Sequence, residues 1–265
     1  MPRRAQNRRL QRLGEHLATA SAQPAATSAR TLSALHDPSA KAVADLAVEL
    51  TAGLRLLEQG GQADLCAGFF SARHPHDPTL FLAPRHGMFW KESTPDMYGV
   101  YSCATGRYAN GDGARVCGDG PMPNFPSTEV SAALYNAYPS INAVVHAHPA
   151  SIMSLSAADG QLGTILPMSE PSFMFYERVA SLPCNFFFDE DYVDTMVGAL
   201  SDGPYCIMMR NHSYIMTGKD VQETYMRSYS EHTSPPRPNL ICRDVSQRDC
   251  LRLQWWSRAR RCSSS

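Results

Sequence analysis

Two histidines at the end of an apolar segment constrain this chain more than any other feature. Residues 141–145 read Ile-Asn-Ala-Val-Val and lead directly into His146-Ala147-His148, which is typical of a buried strand that ends at the rim of a core. Side chains alternate across a strand, so His146 and His148 are predicted to point to the same face. Two imidazoles on one face provide half of a site for a first-row metal ion.

A second apolar run predicts the third ligand. Residues 205–209 read Tyr-Cys-Ile-Met-Met and end in Arg210-Asn211-His212, so a neighbouring strand would bring His212 to the same rim. Three histidines leave one coordination position open, as in catalytic metal sites, whereas structural zinc sites are usually closed by four protein ligands. The pattern favours an enzyme, and the alternative for His212 is a satisfied core histidine.

A similar spacing elsewhere is interpreted differently. His74-Pro75-His76-Asp77 repeats the His-x-His pattern among prolines. No apolar strand leads into it, and loops place metal ligands less reliably than rigid elements do. We therefore expect a polar loop at this position.

Composition sets the bounds on fold and partners. The chain has 265 residues, is 43% hydrophobic and carries a formal net charge of −1, which predicts one domain with irregular ends. This charge gives no electrostatic reason for nucleic acid as a partner, and no apolar stretch approaches the roughly 20 residues of a membrane span. The 8 cysteines include no Cys-x-x-Cys pair, which favours reduced thiols in an intracellular compartment.

The two ends of the chain differ from the middle. Residues 1–40 are basic, and up to residue 31 Glu15 is the single acid. Such a segment is typical of a poorly ordered arm, and we then expect a cytoplasmic protein. The alternative is a mitochondrial or plastid targeting sequence. Residues 235–265 begin with prolines that cannot continue a helix and are predicted to form an irregular tail. The domain itself is predicted over residues 41–234.

Between these ends, helices and strands interleave, which predicts an α/β fold with a mixed or antiparallel sheet. Residues 103–126 are rich in Gly, Asp, Asn and Pro and are predicted to be loop. Helices are predicted over 41–59, 127–137, 149–158, 190–200 and 220–231. Strands are predicted over 66–71, 79–83, 99–102, 141–148, 164–168, 185–188 and 205–210.

Taken in order, these motifs resemble the class II aldolase/adducin family, over roughly residues 42–232. The most specific part is the string Asn-Ala-Val-Val-His-x-His at 142–148. The other matching segments are a helix that ends before Tyr138-Pro139, the segments 68–73 and 81–87, Asn211-His212, and a glycine before the last helix.

The resemblance implies an αβα sandwich with a central mixed, largely antiparallel sheet, often assembled as a tetramer. By position, the metal ligands would be His146, His148 and His212, with Zn²⁺ the usual ion and Fe²⁺ or Mn²⁺ as alternatives. Such a metal polarises adjacent substrate oxygens and stabilises the enediolate left when a C–C bond breaks. The implied reactions are retro-aldol cleavage, decarboxylation of oxo-acids and sugar-phosphate epimerisation. Adducin-like relatives without the ligands are structural.

The acid/base residue implied by the family falls out of register. Pro126-Ser127-Thr128-Glu129 resembles the family's Pro-Ser-Ser-Glu turn, and Glu129 would then be catalytic. However, if Tyr135 matches the family's helix tyrosine, Ser127 occupies the position of the catalytic Glu, and Glu129 lies two residues too close to Tyr135. A short local gap would restore Glu129; otherwise it is a first-turn acid that complements the helix dipole.

The family's phosphate-binding groups are also altered. Its Gly-Asn pair is Gly68-Phe69 here, and its Ser-Gly pair is His86-Gly87. The loss of small polar groups favours an unphosphorylated substrate, or capture of an anion by Arg73, Arg85 or Lys91. The substrate contacts carried over by position are Ser71, Arg73, His86 and Gly87.

The sequence therefore predicts a divalent-metal-dependent lyase that cleaves a C–C bond of a small hydroxy-carbonyl compound or oxo-acid. One alternative is a non-heme iron oxygenase on the same scaffold, since three imidazoles also suit iron. The other is a non-catalytic, adducin-like interaction module. The expected partners are the small-molecule substrate and further copies of the chain, with a homotetramer as the assembly that the family implies.

Overall fold

The computed structural model describes residues 38–106, 125–157, 165, 169–185 and 189–233. The chain divides into two compact units, residues 1–41 and 42–265. Of the first unit, only residues 38–41 are described, and they form the first turn of a helix. Most of the predicted basic arm and the whole of the predicted tail lie outside the described residues, so both stay predictions.

Helices and strands alternate along the described part of the chain. The helices are α1 (Pro38–Gln59), α2 (Phe125–Ala137), α3 (Ala150–Ser156), α4 (Glu170–Phe173), α5 (Glu190–Gly198) and α6 (Val221–Thr233). The strands are β1 (Phe69–Arg73), β2 (Leu80–Pro84), β3 (Tyr98–Ser102), β4 (Ala143–Ala147), β5 (Val179–Pro183), β6 (Cys206–Arg210) and β7 (Ser213–Gly218). Two short 3-10 turns, Trp90–Glu92 and Pro95–Met97, lie between β2 and β3. None of these helices is long and apolar enough to cross a lipid bilayer.

The strands form one seven-stranded sheet in the order β3-β2-β1-β4-β7-β6-β5. Neighbouring strands are antiparallel, except for β5 and β6, which pair in parallel. The prediction of a mixed, largely antiparallel sheet is thus confirmed. Strand β4 is central and buried along its whole length, as its apolar sequence predicts.

Helices cover both faces of this sheet because successive side chains of each strand point to opposite sides. Ala143 and Val145 of β4 pack in one core with residues of α1, α3 and α6. Val144 packs in a second core with residues of α2 and α5. Leu50, Leu54 and Leu57 contribute the apolar stripe of α1 to the first core, each stabilising the fold by roughly 1.5–3 kcal/mol. The predicted αβα sandwich is therefore confirmed.

Most predicted elements are present with small shifts at their ends, but α4, β5 and β7 are absent from the prediction. Strand β7 follows β6 after only Asn211 and His212, without the Asn-Gly or Asp-Gly pair that usually marks such a hairpin. Asn211 takes a φ of 57°, a conformation in which Asn is a common non-glycine residue. Of the strands predicted at 164–168 and 185–188, only Ile165 and Asn185 are described, and both lie outside strands.

One edge of the sheet collects the residues that matter most for function. His146 of β4 lies opposite Phe69, the first residue of β1, and opposite Ile215 of β7. Because both neighbours run antiparallel to β4, the end of β4, the start of β1 and the turn before β7 meet at the same edge. The sheet topology thus brings together chain segments that are far apart in sequence.

Gly68 allows the chain to pass close to this edge. Its φ is +88°, and a Cβ atom there would lie 2.4 Å from the carbonyl oxygen of His146 and 2.7 Å from Cζ2 of Trp90. Both distances are far below van der Waals contact. Glycine is therefore required at this position by the backbone conformation and by the available space.

We predict that Gly68→Ala destabilises the fold by about 3 kcal/mol, from positive-φ strain and steric overlap together. Gly87→Ala is the matched control, since Gly87 has a φ of +91° but no atom of the described residues within 4 Å of an added Cβ. Strain alone is expected to cost that variant about 1–2 kcal/mol. Urea unfolding of both variants checks the comparison, and equal losses of stability would contradict the role of close packing at Gly68.

Candidate metal centre

The three histidines predicted from sequence converge at this edge of the sheet. One ring nitrogen of His146, one of His148 and one of His212 all lie within 4.8 Å of one another. The Nε2 atoms of His148 and His212 are 3.1 Å apart. The ring centroid of His146 lies 4.5 Å from that of His148 and 5.4 Å from that of His212, and the centroids of His148 and His212 are 4.9 Å apart. Among the described residues, this is the one group of three or more His, Cys, Asp or Glu that could hold a metal ion.

Different elements carry the three rings. His146 is part of β4, whereas His148 follows the end of that strand. His212 lies in the two-residue turn between β6 and β7. Asn211 has a positive φ and makes this turn sharp. The next residue, His212, lies with its ring beside that of His148.

Hydrogen bonds orient His146. Its Nδ1 lies 2.8 Å from the carbonyl oxygen of Tyr214 and 3.3 Å from Oγ of Ser213. Because a carbonyl oxygen can only accept, Nδ1–H donates to Tyr214. The lone pair is then on Nε2, the nitrogen that remains for a metal.

Burial favours the neutral form of the three imidazoles. It lowers the pKa of His146 well below its usual value, and the neighbouring His148 lowers it further, against a smaller opposing effect of the bond to Tyr214. Burial and then His212 lower the pKa of His148 to about 4. Burial also lowers the pKa of His212. Neutral rings keep the lone pair that metal binding needs.

The donor set fits a divalent transition metal. Two nitrogens bound to one zinc ion at about 2.0–2.1 Å in a tetrahedral arrangement are about 3.3 Å apart, and the measured separation between His148 and His212 is 3.1 Å. Nδ1 of His148 is buried and has no hydrogen-bond partner among the described residues. Three imidazoles without a thiolate suit zinc and iron alike.

Helix α2 approaches this edge with its N-terminal end. Oγ of Ser131 lies 2.8 Å from Oγ of Ser71 in β1, and the carbonyl of Tyr135 accepts a hydrogen bond from Arg73, farther along β1. The helix therefore runs along β1 with its first turn toward Phe69, the residue opposite His146.

The register of α2 places Ser127, and not Glu129, on the side that faces the sheet. Ser127 lies one turn before Ser131, and both are fully buried, whereas Glu129 is exposed. Helix α2 is continuous from Phe125 to Ala137, and Glu129 lies on its exposed side. The catalytic role of Glu129 stays a prediction.

The structure does not bring Ser71 and Arg73 to the three histidines. Ser71 is fully buried, and its hydroxyl bonds to Ser131 and to Tyr135. Arg73 lies four residues beyond Phe69 along β1, about 13 Å away at the rise of a strand. Its guanidinium donates to the carbonyls of Pro78, Tyr135, Tyr138 and Ile141 and to the side chain of Asn142. Both side chains are thus engaged in packing α2 against β1.

The other two predicted substrate contacts, His86 and Gly87, follow strand β2. Strand β2 is antiparallel to β1, so the loop after Pro84 returns to the edge where β1 begins. Both residues are exposed there. Phe69 also belongs to this edge, with its ring centroid 5.7 Å from that of His146. Nothing in the sequence alone indicates that Phe69 lies beside a histidine, because the contact depends on strand pairing.

The second His-x-His segment is separate from this group. Nδ1 of His74 accepts hydrogen bonds from the backbone N–H groups of His76 and Asp77, so the segment is a turn held by its own side chain. It follows Arg73 at the other end of β1 and lines a cleft of about 350 Å³. Neither histidine belongs to a group able to hold a metal within the part of the chain that the structure describes.

Comparison with known proteins agrees with the fold. Two L-fuculose phosphate aldolases from strains of Methanococcus maripaludis are 29% and 28% identical to this chain, over 105 and 108 residues. Each match covers 39% of this chain and 55% of the relative. The chain therefore matches only about half the length of these relatives.

Solved structures are similar over more of the chain. An aldolase II superfamily protein from Pseudomonas syringae has a TM-score of 0.63 at 24% identity, covering 75% of this chain and 74% of that one. L-fuculose 1-phosphate aldolase from Glaciozyma antarctica has a TM-score of 0.59 at 18% identity, with coverages of 82% and 77%. L-fuculose-1-phosphate aldolase from Thermus thermophilus has a TM-score of 0.55 at 19% identity, with coverages of 71% and 90%. These similarities show the fold.

The family itself is shown by a match over most of the chain. Residues 48–233 match the family model described as Class II Aldolase and Adducin N-terminal domain. This range includes every strand of the sheet and all three converging histidines. The chain belongs to the class II aldolase/adducin family.

Proposed function

We propose that this protein is a divalent-metal-dependent lyase that cleaves a C–C bond in a small hydroxy-carbonyl compound or oxo-acid, by retro-aldol cleavage or decarboxylation. The observation that carries the proposal is the convergence of three imidazoles with no fourth protein ligand among the described residues. An open coordination position is typical of catalytic metal sites. The aldolases among its relatives support a lyase over a purely structural module.

The metal would be held by His146, His148 and His212, with zinc as the first candidate. When bound, it would supply Lewis acid chemistry that polarises a substrate oxygen. The chain's own contribution is to present neutral, oriented imidazoles. The hydrogen bond from His146 to Tyr214 and the burial of all three rings support this part of the proposal.

The substrate is proposed to lack a phosphate group. The side chain beside His146 is Phe69, which offers no hydrogen-bond donor to phosphate oxygens. Ser71 is sealed in the core, and the guanidinium of Arg73 is taken up by carbonyl groups. Arg85 and Lys91, which lie between β2 and β3, are the cations proposed to bind a substrate carboxylate.

Glu129 is the proposed group for proton transfer. It is exposed near the N-terminal end of α2, the end directed toward the three histidines. An exposed carboxylate at that position can exchange a proton with a substrate that enters from solvent. General acid or base catalysis by a positioned side chain typically contributes about 10²–10⁴ in rate.

The metal site is tested first. We predict about one equivalent of bound divalent metal in the purified protein and almost none in His146→Ala or His212→Ala, because two imidazoles bind the ion far less tightly than three. The matched control is the double variant His74→Ala, His76→Ala, which removes the other His-x-His segment and is expected to keep its metal. Elemental analysis by mass spectrometry measures the content. A parent protein that takes up no metal on reconstitution would contradict the proposal, and iron accompanied by oxygen consumption would favour an oxygenase.

Substrate class is tested by comparing L-fuculose 1-phosphate, L-fuculose and small hydroxy-oxo-acids. We predict that an unphosphorylated compound has the higher kcat/KM, by about tenfold or more, because the phosphate-binding groups are absent or engaged elsewhere. Release of aldehyde or of carbon dioxide separates aldol cleavage from decarboxylation. Removal of the metal with a chelator should abolish activity and added zinc should restore it. Preference for the phosphorylated sugar would show that Arg85, Lys91 or another cation captures phosphate.

The role of Glu129 is tested by Glu129→Gln. We predict a fall in kcat of about 10²-fold with unchanged metal content, because the amide cannot exchange a proton. The matched control is Asp191→Asn, which changes an exposed first-turn acid of another helix, α5. An unchanged kcat in Glu129→Gln would exclude Glu129 from the proton transfer.

A further inference from the structure

Gln62 is a buried polar side chain that the proposed chemistry does not use directly. It lies in the loop between α1 and β1 and is 0% exposed. Its Nε2 donates to the carbonyl of Ser228 in α6 at 3.2 Å, and its Oε1 accepts a hydrogen bond from the hydroxyl of Tyr214 in β7. Its main-chain carbonyl accepts from the N–H of His148 at 3.1 Å.

Tyr214 completes the connection from the other side. It is also 0% exposed, and its main-chain carbonyl accepts from Nδ1 of His146 at 2.8 Å. The hydrogen bond from the Tyr214 hydroxyl to Gln62 therefore joins two residues whose main-chain carbonyls accept hydrogen bonds from the histidines. The carbonyl of Tyr214 orients the ring of His146, and the carbonyl of Gln62 holds the backbone of His148.

The hydrogen bond between Gln62 and Tyr214 lies at the end of the pairing between β4 and β7. The last pair in the ladder between β4 and β7 is Ala147 opposite Tyr214, so His148 lies one residue beyond the strand pairing. Its N–H is satisfied by the loop carbonyl of Gln62 and not by a neighbouring strand. The side-chain hydrogen bonds of Gln62 to Tyr214 and Ser228 anchor the loop that supplies this carbonyl.

We propose that Gln62 and Tyr214 form a positioning pair that holds His146 and His148 at the separation that one metal ion requires. The inference rests on the proposed function, because it presumes that these histidines bind a metal. Hydrogen-bonded groups behind metal ligands commonly change metal affinity by about 10–100-fold when they are removed. The pair does not touch the substrate, so its effect acts through the ligands.

The test uses the full chain and Co²⁺, whose visible absorption reports ligand geometry. Gln62→Leu fills the same space without hydrogen bonds, and Tyr214→Phe removes only the hydroxyl of the pair. Both are expected to weaken Co²⁺ binding by about 10–100-fold and to change its absorption spectrum. The double variant is expected to be no weaker than the more affected single variant, because the two residues act as one unit.

The matched control is Tyr135→Phe. Tyr135 is likewise a fully buried tyrosine whose hydroxyl is hydrogen-bonded, to Ser71 at 2.9 Å, but it contacts none of the three histidines in any described bond. It is expected to lose thermal stability while its Co²⁺ affinity and spectrum stay within about twofold of the parent. Comparison with this variant separates positioning of the ligands from general support of the fold.

The outcomes are distinct. Parent-like Co²⁺ affinity and spectrum in Tyr214→Phe would overturn the inference while leaving the proposed metal site intact. A parent protein that binds neither Co²⁺ nor Zn²⁺ would overturn the proposed function and the inference with it. If Gln62→Leu does not fold, Tyr214→Phe and its control decide the question alone.

Discussion

The candidate site depends on the antiparallel pairing of β4 with β7. This pairing sets His146 opposite Ile215 and brings the turn that contains His212 beside the end of β4. It also directs the carbonyl of Tyr214 at Nδ1 of His146. Both strands are buried along their whole length, so the core fixes the position of His146 and the strand ends beside which His148 and His212 lie. A site on such rigid elements meets the first requirement for holding a metal in a defined geometry.

Local sequence patterns predicted much of this arrangement, and their failures have physical causes. The apolar run before His146 identified a buried strand, and its two-residue period identified the ligand pair. Strand β7 was missed because its turn lacks the usual glycine and relies on Asn211 at a positive φ. Strand β5 is half-exposed and carries Pro183 at its end, so neither its apolar content nor its composition indicates a strand.

The contacts that surround the histidines could not be predicted in the same way. Ser71 and Phe69 share one face of β1, yet only the pairing of β1 with β4 shows that Phe69 lies beside His146. Gln62 is separated from Tyr214 by 152 positions, and nothing in its neighbourhood along the chain suggests the bond. Family resemblance indicates the three ligands together, but it carries positions only, and the hydrogen bonds that engage Ser71 and Arg73 are seen only in the structure.

The distance along the chain between the ligands has a consequence for folding. His148 and His212 are 64 residues apart, and the segment between them contains α3, α4, β5, α5 and β6. An ion bound to both would act as a cross-link that closes this long loop and lowers the conformational entropy of the unfolded chain. Its contribution would fall mainly on that half of the sandwich. Loss of the ion would therefore release this constraint first on the segment that carries these elements.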